Sequence, residues 1–338
     1  MRLFFRLILL VTLCGCCLLP AGGCGGPEPE KEPVHLVYRL KWLYNISVIG
    51  DLYAEEKGFF ARQGLQVDIK PGGPERDAIK ELEIGRSQFG VASADQVIRA
   101  VAKGSPIVVL AQLFQANPLQ WIYRQGKQPI QSPADLRHRI IGITYGGNDE
   151  TIFRALMAKY QIRKDELTLF GVRYDYTPFY QRKVDLWPVY RNAEGIIISD
   201  KLKKGGEKVN FFNPDTFGIR FVANSVITTR QMIQNHPQTV RKFIHALIKG
   251  WQQALDPVNA DSALTMMARF DKDTPAALLR QQLMTTRALM IPPAGKNFGW
   301  INAPAWKQSA DIMLAQKLIP APVRTDDILI LEKIGGKI

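Results

Sequence analysis

Cysteine is confined to the first twenty-four residues of this chain of 338, at positions 14, 16, 17 and 24. The remaining body therefore has no disulfide framework, no thiolate metal site and no thiol nucleophile. Because no cross-link stabilises it, the body must gain its stability from buried apolar surface. About three hundred residues are enough for one large domain or two ordinary ones.

The cysteine-containing segment has the features of an export signal. Arg2 and Arg6 give it a basic start, residues 7–20 form an apolar run too short for a comfortable membrane span, and the small residues 21–23 end directly on Cys24. This arrangement resembles a bacterial lipoprotein signal, in which the cysteine becomes the lipidated first residue of the mature protein. It predicts Cys24 as a membrane anchor.

The prediction is thus a signal peptide over residues 1–23 and a polar tether over 24–33, in which Pro and Glu alternate. Alternatives stay open. An ordinary signal peptide cut near Gly23, or a retained membrane anchor, would leave Cys24 unmodified. An earlier cleavage box ends on Cys16, but cleavage there would leave an apolar stub at the mature terminus.

The chain carries 44 Lys and Arg against 31 Asp and Glu, a formal net charge of +13. Such an excess is common in nucleic-acid-binding proteins, but here basic residues are spread among acids and no recognition motif accompanies them. The densest cluster, Lys201, Lys203 and Lys204, is typical of a solvated helix end. We therefore expect no nucleic acid among the partners.

From residue 34 onward, short apolar runs alternate with amphipathic stretches, which is typical of an α/β protein with mostly parallel strands. The apolar runs predict strands at 35–40, 66–70, 88–92, 107–113, 140–145, 167–172, 185–190 and 208–212. Beyond residue 221 the pattern becomes helical, most clearly over 237–255.

Start signals predict where several helices begin. Residues 72–74 read as a loop that opens a helix at its proline, and residues 132–135 supply a cap, a first-turn proline and an acid. Asp95 is predicted to cap a helix, as are Asp261 and Thr274 nearer the carboxyl terminus.

No catalytic or metal-binding pattern emerges. The four histidines, at positions 35, 138, 236 and 245, are widely separated and lack metal-ligand spacing. Nucleophile-elbow, phosphate-loop and dinucleotide motifs are absent. We therefore expect no enzymatic activity, no cofactor and no metal.

Several stretches together resemble the thiamine-precursor-binding family. Its members include periplasmic substrate-binding proteins of ABC importers, in one group with SsuA-type proteins, and fungal thiamine-pyrimidine synthases. The stretches that carry the resemblance are residues 41–45, 53–60, 84–90, 132–136, 182–185 and 235–243. No stretch is specific alone, but their order and spacing are.

The resemblance implies an α/β fold of the two-lobed periplasmic binding protein type (type II), with two hinge strands and a helical C-terminal tail. One lobe is expected at residues 34–126 plus 224–338 and the other at 127–223. It also implies a small-molecule ligand, an ABC permease in the inner membrane as partner, and a monomer anchored to the membrane by its lipid, on the periplasmic side or at the cell surface.

Departures from the family pattern narrow this reading. Tyr44 replaces a usual proline, and residues 187–194 stand where relatives often have an aromatic residue before Glu-Pro. The fungal synthases consume an active-site histidine and depend on a cysteine-rich run. Here that cysteine-rich run is missing and the early helix contains no histidine. The residues that a synthase of this type requires are therefore absent, and we do not expect synthase activity.

Ligands of open α/β lobes bind where the carboxyl ends of strands meet helix starts. The candidate ligand-binding residues at such places are Trp42, Tyr44, Asn45, Ser93, Asp95, Gly146, Gly147, Asp149, Tyr176, Tyr190, Asn192 and Glu194. Trp42 is alternatively a core aromatic, Asp95 a simple cap, and Glu194 a solvated first-turn acid.

Stacking aromatics beside neutral or acidic groups favour a flat uncharged or cationic ring, such as a thiamine-type pyrimidine or riboflavin, over an anion. The alternative is a sulfonate, taurine or nitrate held by Arg173, Arg191 or Arg220 turned inward. A ligand-binding sensor domain is a third reading.

Overall fold

Ten strands form two separate sheets of five in the computed structural model, which describes residues 32–73, 75–126, 129–173 and 175–330. The strands are β1 Val34–Arg39, β2 Leu65–Lys70, β3 Phe89–Ala92, β4 Ile107–Gln112, β5 Leu119–Arg124, β6 Ile140–Ile143, β7 Thr168–Gly171, β8 Leu186–Tyr190, β9 Val209–Phe212 and β10 Ser225–Thr229. The predicted signal peptide, Cys24 and nearly all of the tether lie outside the described residues.

Helices pack against both sheets. They are α1 Ile49–Glu56, α2 Ala78–Glu83, α3 Ala94–Val101, α4 Asn148–Lys159, α5 Thr177–Tyr180, α6 Glu194–Lys204, α7 Arg230–Asn235, α8 Pro237–Ala254, α9 Ala260–Met267, α10 Ala276–Met290 and α11 Ala303–Ala315. In the described part of the chain, none of these helices is both long enough and apolar enough to cross a membrane.

The first sheet has the order β2-β1-β3-β10-β4, and the second has the order β7-β6-β8-β5-β9. β10 runs antiparallel to both of its neighbours, as β5 does in the second sheet. The other pairs are parallel. The eight strands predicted from apolar runs are all present, whereas β5 and β10 were not predicted.

The chain crosses between the sheets after β4 and again after β9, so the two crossings are residues 113–118 and 213–224. They are tied together: the amide of Asn117 donates to the carbonyl of Phe221 at 2.9 Å, and the N–H of Leu113 donates to the carbonyl of Asn224 at 3.0 Å. β5 belongs to the second sheet, although the sequence counted it in the first lobe (34–126). The division into lobes otherwise stays a prediction.

Three predicted helix starts need correction. Asp77 caps α2 by accepting from the N–H of Ile79 at 2.8 Å, so this helix starts later than the predicted proline. Ser93 rather than Asp95 is the cap of α3, because a capping box forms: the N–H of Ser93 donates to Oε1 of Gln96 at 3.1 Å, and the Ser93 side chain accepts from the backbone N–H of Gln96. The predicted start at residues 132–135 is a single 3-10 turn.

The two tail caps predicted near the carboxyl terminus are also displaced by a residue or two. Asn259 is the cap of α9, so Asp261 lies in its first turn instead. Pro275 precedes α10 where Thr274 was expected to cap it. In both cases the helix itself was predicted correctly, but the acid or hydroxyl taken as its cap lies one or two residues from the true cap.

The core of the first lobe centres on the crossing of α1 and α8. A Cβ added at Gly50 would lie 2.0 Å from the Trp251 ring, and one at Gly250 would lie 2.4 Å from Cβ of Ala54. The two glycines therefore allow the helices to approach closely. At the crossing, the buried carboxylate of Asp51 accepts from the Tyr38 hydroxyl at 2.8 Å and from the Trp251 indole N–H at 3.1 Å.

Candidate functional site

Side chains from both sheets meet where β1 and β8 end. Lys41, directly after β1, donates from Nζ to the Tyr190 hydroxyl at 2.8 Å, and the same Nζ lies 5.4 Å from the Tyr190 ring centroid. The Tyr190 hydroxyl in turn donates to Oδ1 of Asn224 at 3.3 Å. Lys41 and Asn224 were not predicted, although Lys41 immediately precedes the candidate Trp42.

Glu194 lies in the first turn of α6 and connects it to the end of β8. Its Oε2 accepts from the backbone N–H of Tyr190 at 3.1 Å. Burial raises the pKa of this carboxyl above its ordinary value, despite the backbone N–H groups that favour the ionised form. Glu194 is thus a partly buried acid beside Tyr190 rather than a fully solvated one.

Asn192 bonds residues from two distant parts of the chain. The side chain is fully buried, and its Nδ2 donates to the hydroxyl oxygens of Ser47, just before α1, and Thr286, on α10, at 2.9 Å each. The amide of Gln282, also on α10, donates to the carbonyl of Ala193 at 3.2 Å. We call Ser47, Asn192, Gln282 and Thr286 the interlobar polar cluster.

Sequence reasoning predicted Asn192 but missed the other three members of this cluster. Ser47 lies two residues beyond Asn45, just outside the recognised stretch 41–45. Gln282 and Thr286 lie four residues apart, on one face of a helix whose sequence offered only an amphipathic pattern. Both are buried polar residues, and that property becomes visible only in the structure.

Trp42, Tyr44 and Asn45 follow β1 as expected, and the structure shows the local partners of Tyr44 and Asn45. The Tyr44 hydroxyl donates to the carbonyl of Ile69 at 2.8 Å, and its ring packs edge-on against Phe270. Oδ1 of Asn45 accepts from the N–H of Ser47 at 2.8 Å. Trp42, the residue after Lys41, is partly buried, so part of its side chain remains accessible to solvent.

Ser93 and Asp95 lie at the start of α3 and are both buried. The Ser93 hydroxyl lies 2.6 Å from Oδ1 of Asp95 and 2.9 Å from Oε1 of Gln96. These contacts fix the first turn of the helix. A role in ligand binding stays a prediction for both residues.

The glycine loop before α4 bonds within itself. Oδ2 of Asp149 accepts from the N–H of Thr144 at 2.6 Å, and the N–H of Gly146 donates to Glu150 at 2.7 Å. Gly146 has a φ of +81°, and a Cβ on Gly147 would lie 2.4 Å from Oδ1 of Asp149. Burial raises the pKa of Asp149 to about 6. The loop therefore requires its glycines for its own geometry.

Tyr176 packs on the second lobe, where its ring meets Trp187 at 5.9 Å between centroids in an edge-on arrangement. Burial raises the pKa of its hydroxyl. The three arginines of the anion alternative, Arg173, Arg191 and Arg220, are exposed. They are not turned inward, whereas Lys41 bonds Tyr190 and Arg99 bonds Thr151 at 2.8 Å each between elements of the two sheets.

A cavity of about 320 Å³ lies between the end of α3 and the tail, lined by residues that include Arg230, Arg324 and Asp327, and contains none of the candidates. Within the described ranges, no group of three or more His, Cys, Asp or Glu residues is arranged to hold a metal ion.

The chain is similar to proteins of known role. It is 24% identical to the riboflavin-binding protein RibY of Chloroflexus aurantiacus, covering 97% of this chain and 96% of that protein. It is also 24% identical to the formylaminopyrimidine-binding protein of Halalkalibacterium halodurans, over 85% and 87% of the two chains. Both relatives are named as binding proteins.

The fold agrees with solved structures. The periplasmic aliphatic sulphonate-binding protein SsuA of Escherichia coli superposes with a TM-score of 0.68 at 17% identity, covering 89% of this chain and 92% of that one. This likeness confirms the predicted periplasmic binding protein fold with its two α/β sheets.

A sequence profile described as NMT1/THI5 like matches residues 45–260, which is more than half of the chain. The matched segment contains Asn45, Ser47, Tyr190, Asn192 and Glu194. The protein therefore belongs to the NMT1/THI5-like family.

Proposed function

We propose that this protein is the exported, lipid-anchored substrate-binding component of an ABC importer, and that it binds a flat nitrogen heterocycle between its two lobes. The ligand class is a thiamine-type pyrimidine precursor or riboflavin. The observation that carries the proposal is that groups from both sheets meet at the end of β8: Lys41 bonds Tyr190, which bonds Asn224, and Asn192 bonds Ser47. Family membership supports it.

The geometry supports ligand trapping by closure. A hydrogen bond between lobes, such as that from Lys41 to Tyr190, forms only when the lobes are together, so it stabilises the closed arrangement. A ligand held between the same residues adds further differential contacts. Trp42 and Tyr190 offer ring faces for a planar molecule, and Glu194 offers an acceptor for an amino group.

Titration calorimetry of the mature protein tests this function. We expect riboflavin or 4-amino-5-hydroxymethyl-2-methylpyrimidine to bind with micromolar or tighter affinity, and ethanesulfonate, taurine and nitrate to bind at least about 100-fold more weakly. Trp42→Ala should weaken heterocycle binding by about 10-fold or more through lost stacking. Trp300→Ala is the control, because Trp300 is equally part-buried but lies on the tail.

One observation favours a second candidate, uptake of a sulfonate. The ammonium of Lys41 lies between the lobes and provides a positive charge suited to an anion. Tight binding of ethanesulfonate with no heterocycle binding would establish this alternative. Mass spectrometry of the ligand that co-purifies from native extract provides an independent answer.

Anchoring and export are tested separately from ligand binding. The mature protein should begin at Cys24 and carry the mass of a lipid, and Cys24→Ala should release it from the membrane fraction. Retention of that variant in the membrane fraction would contradict the anchor. Absence of ligand turnover, followed over hours at saturating enzyme, is expected for a binding protein.

A further inference from the structure

The tail helix α10 reaches the meeting of the two lobes with two buried polar residues. Gln282 and Thr286 are one helical turn apart, and both are almost completely inaccessible to solvent. α10 packs against the turn Ile46–Val48 of the first lobe and against α6 of the second. α10 therefore contacts both halves of the proposed binding site.

The orientation of the Asn192 amide follows from its partners. The Thr286 hydroxyl has one proton, and it is donated to the carbonyl of Gln282 at 2.8 Å. The oxygen of Thr286 is therefore an acceptor toward Asn192, so the atom facing it at 2.9 Å must be the NH₂ group. Oδ1 of Asn192 consequently points elsewhere.

The same logic fixes the Gln282 amide. Its side chain faces the backbone carbonyl of Ala193 at 3.2 Å, and a carbonyl only accepts hydrogen bonds. The NH₂ group of Gln282 must face Ala193. Oε1 of Gln282 and Oδ1 of Asn192 are both buried and have no hydrogen-bond partner among the residues that the structure describes.

A buried acceptor left without a donor is unfavourable, because it has lost its hydrogen bonds to water and gained none in exchange. Two such oxygens belong to one cluster that joins adjacent residues of the second lobe to one turn of α10. We propose that Asn192 and Gln282 are specificity-determining residues, and that their side-chain oxygens accept hydrogen bonds from N–H groups of the bound heterocycle. This inference rests on the proposed function and assigns the tail helix to the ligand site.

The inference narrows the ligand class to heterocycles with an N–H edge. An amino group on a pyrimidine offers two N–H donors, and the imide of a flavin offers one. A sulfonate or nitrate offers only lone pairs, which would face two carbonyl oxygens and repel them. The buried oxygens of the cluster therefore oppose the anion that Lys41 alone would attract.

Matched ligand pairs test the proposal by calorimetry on the mature protein. One pair is riboflavin and N3-methylriboflavin, and the other is 4-amino-5-hydroxymethyl-2-methylpyrimidine and its dimethylamino analogue. In each pair the second compound keeps the ring but loses the N–H donors. We expect wild type to prefer the N–H compound of the pair it binds by about 10-fold or more.

The variant Gln282→Met removes one acceptor while keeping side-chain volume, and it should reduce that preference to about threefold or less. Gln281→Met is the control, because Gln281 is exposed on the same helix and should keep the wild-type preference. Urea unfolding of both variants verifies that they fold.

The outcomes separate the two proposals. If wild type binds both members of a pair equally well, the oxygens do not face the ligand and this inference is wrong, whereas heterocycle binding stands. An unchanged preference in Gln282→Met would also overturn the role of Gln282. If only ethanesulfonate binds, the proposed function fails and this inference fails with it.

Discussion

Two buried polar clusters in this protein are built differently. In the first lobe, the carboxylate of Asp51 receives hydrogen bonds from Tyr38 and Trp251, so all three side chains are partnered. In the interlobar polar cluster, Asn192 and Gln282 donate through their NH₂ groups while their oxygens remain unpartnered within the described residues.

Under the proposal made above, the Asp51 network is structural and the interlobar polar cluster binds ligand. A buried network that is complete holds one arrangement of the core, and removing a member leaves a charge or dipole exposed to a low dielectric. A buried cluster that is half complete is stabilised further when a donor arrives. We therefore expect changes in the Asp51 network to alter folding, and changes in the interlobar polar cluster to alter binding.

The largest expected effect is on folding through Trp251. Trp251→Phe removes an indole N–H that Asp51 accepts, whereas Trp306→Phe removes an indole N–H that has no partner among the described residues. Both tryptophans are completely buried. We expect Trp251→Phe to lower the free energy of unfolding by roughly 3 kcal/mol, about 1–2 kcal/mol more than Trp306→Phe.

Urea denaturation at pH 7 measures both variants. If both variants lose the same free energy of unfolding, the hydrogen bond from the Trp251 indole to Asp51 contributes nothing beyond ring volume. The Asp51 network would then not stabilise the fold as we expect.

The next effect is the pH dependence of stability. Burial raises the pKa of Asp51 from 3.8 to about 7. Between about pH 4 and pH 7 the folded state therefore holds a proton that the unfolded chain has released, so the free energy of unfolding falls as pH rises through this range. Asparagine at position 51 cannot ionise. In Asp51→Asn, the decrease in the free energy of unfolding between pH 5 and pH 8 should therefore be smaller than in wild type by on the order of 2 kcal/mol.

Thermal and urea unfolding at a series of pH values measure this dependence. Asp149 and Asp215 each have a pKa raised to about 6, so part of the slope should survive in the variant. A profile of Asp51→Asn that is parallel to wild type throughout would contradict the raised pKa of Asp51.

A smaller effect is expected from Thr286→Val. This change removes the hydroxyl oxygen to which Asn192 donates, but Asn192 keeps its bond to Ser47. We expect stability to fall by about 1 kcal/mol or less and ligand affinity to fall about fivefold. Thr285→Val is the control, because Thr285 also bonds a carbonyl one turn earlier but lies outside the cluster.

The smallest effect concerns Asp149. Its Oδ2 already accepts from the N–H of Thr144, and asparagine can keep that acceptor with its own carbonyl oxygen. We expect Asp149→Asn to change ligand affinity by no more than about twofold in calorimetry. A loss of 10-fold or more would restore Asp149 to the ligand site predicted from the sequence.

Much of the fold could be predicted because its strands are short apolar runs between turn residues. β5 and β10 were not predicted for a shared reason: each directly follows a crossing between the sheets and mixes polar with apolar residues, so neither forms a continuous apolar run. Asn117 and Asn224 stabilise those crossings through side-chain and backbone bonds that no local pattern announces.

The candidate site was predicted less completely than the fold. Tyr190, Asn192 and Glu194 could be found because they follow a strand end next to a helix start. Gln282 and Thr286 could not be predicted, because only the tertiary fold brings α10 against Asn192 and Ala193. The sequence also does not show whether a side chain already has a hydrogen-bond partner within the protein, as Tyr44 and Asn45 do.

The position of β10 has a consequence for how the chain acquires its structure. Val226 pairs with Val91, about 135 residues earlier in the chain, and β10 separates β3 from β4. Loop closure over such a span is entropically costly and slow. A chain that crosses a membrane from its amino terminus would therefore have to emerge as far as Thr229, about two-thirds of its length, before its first sheet could be completed.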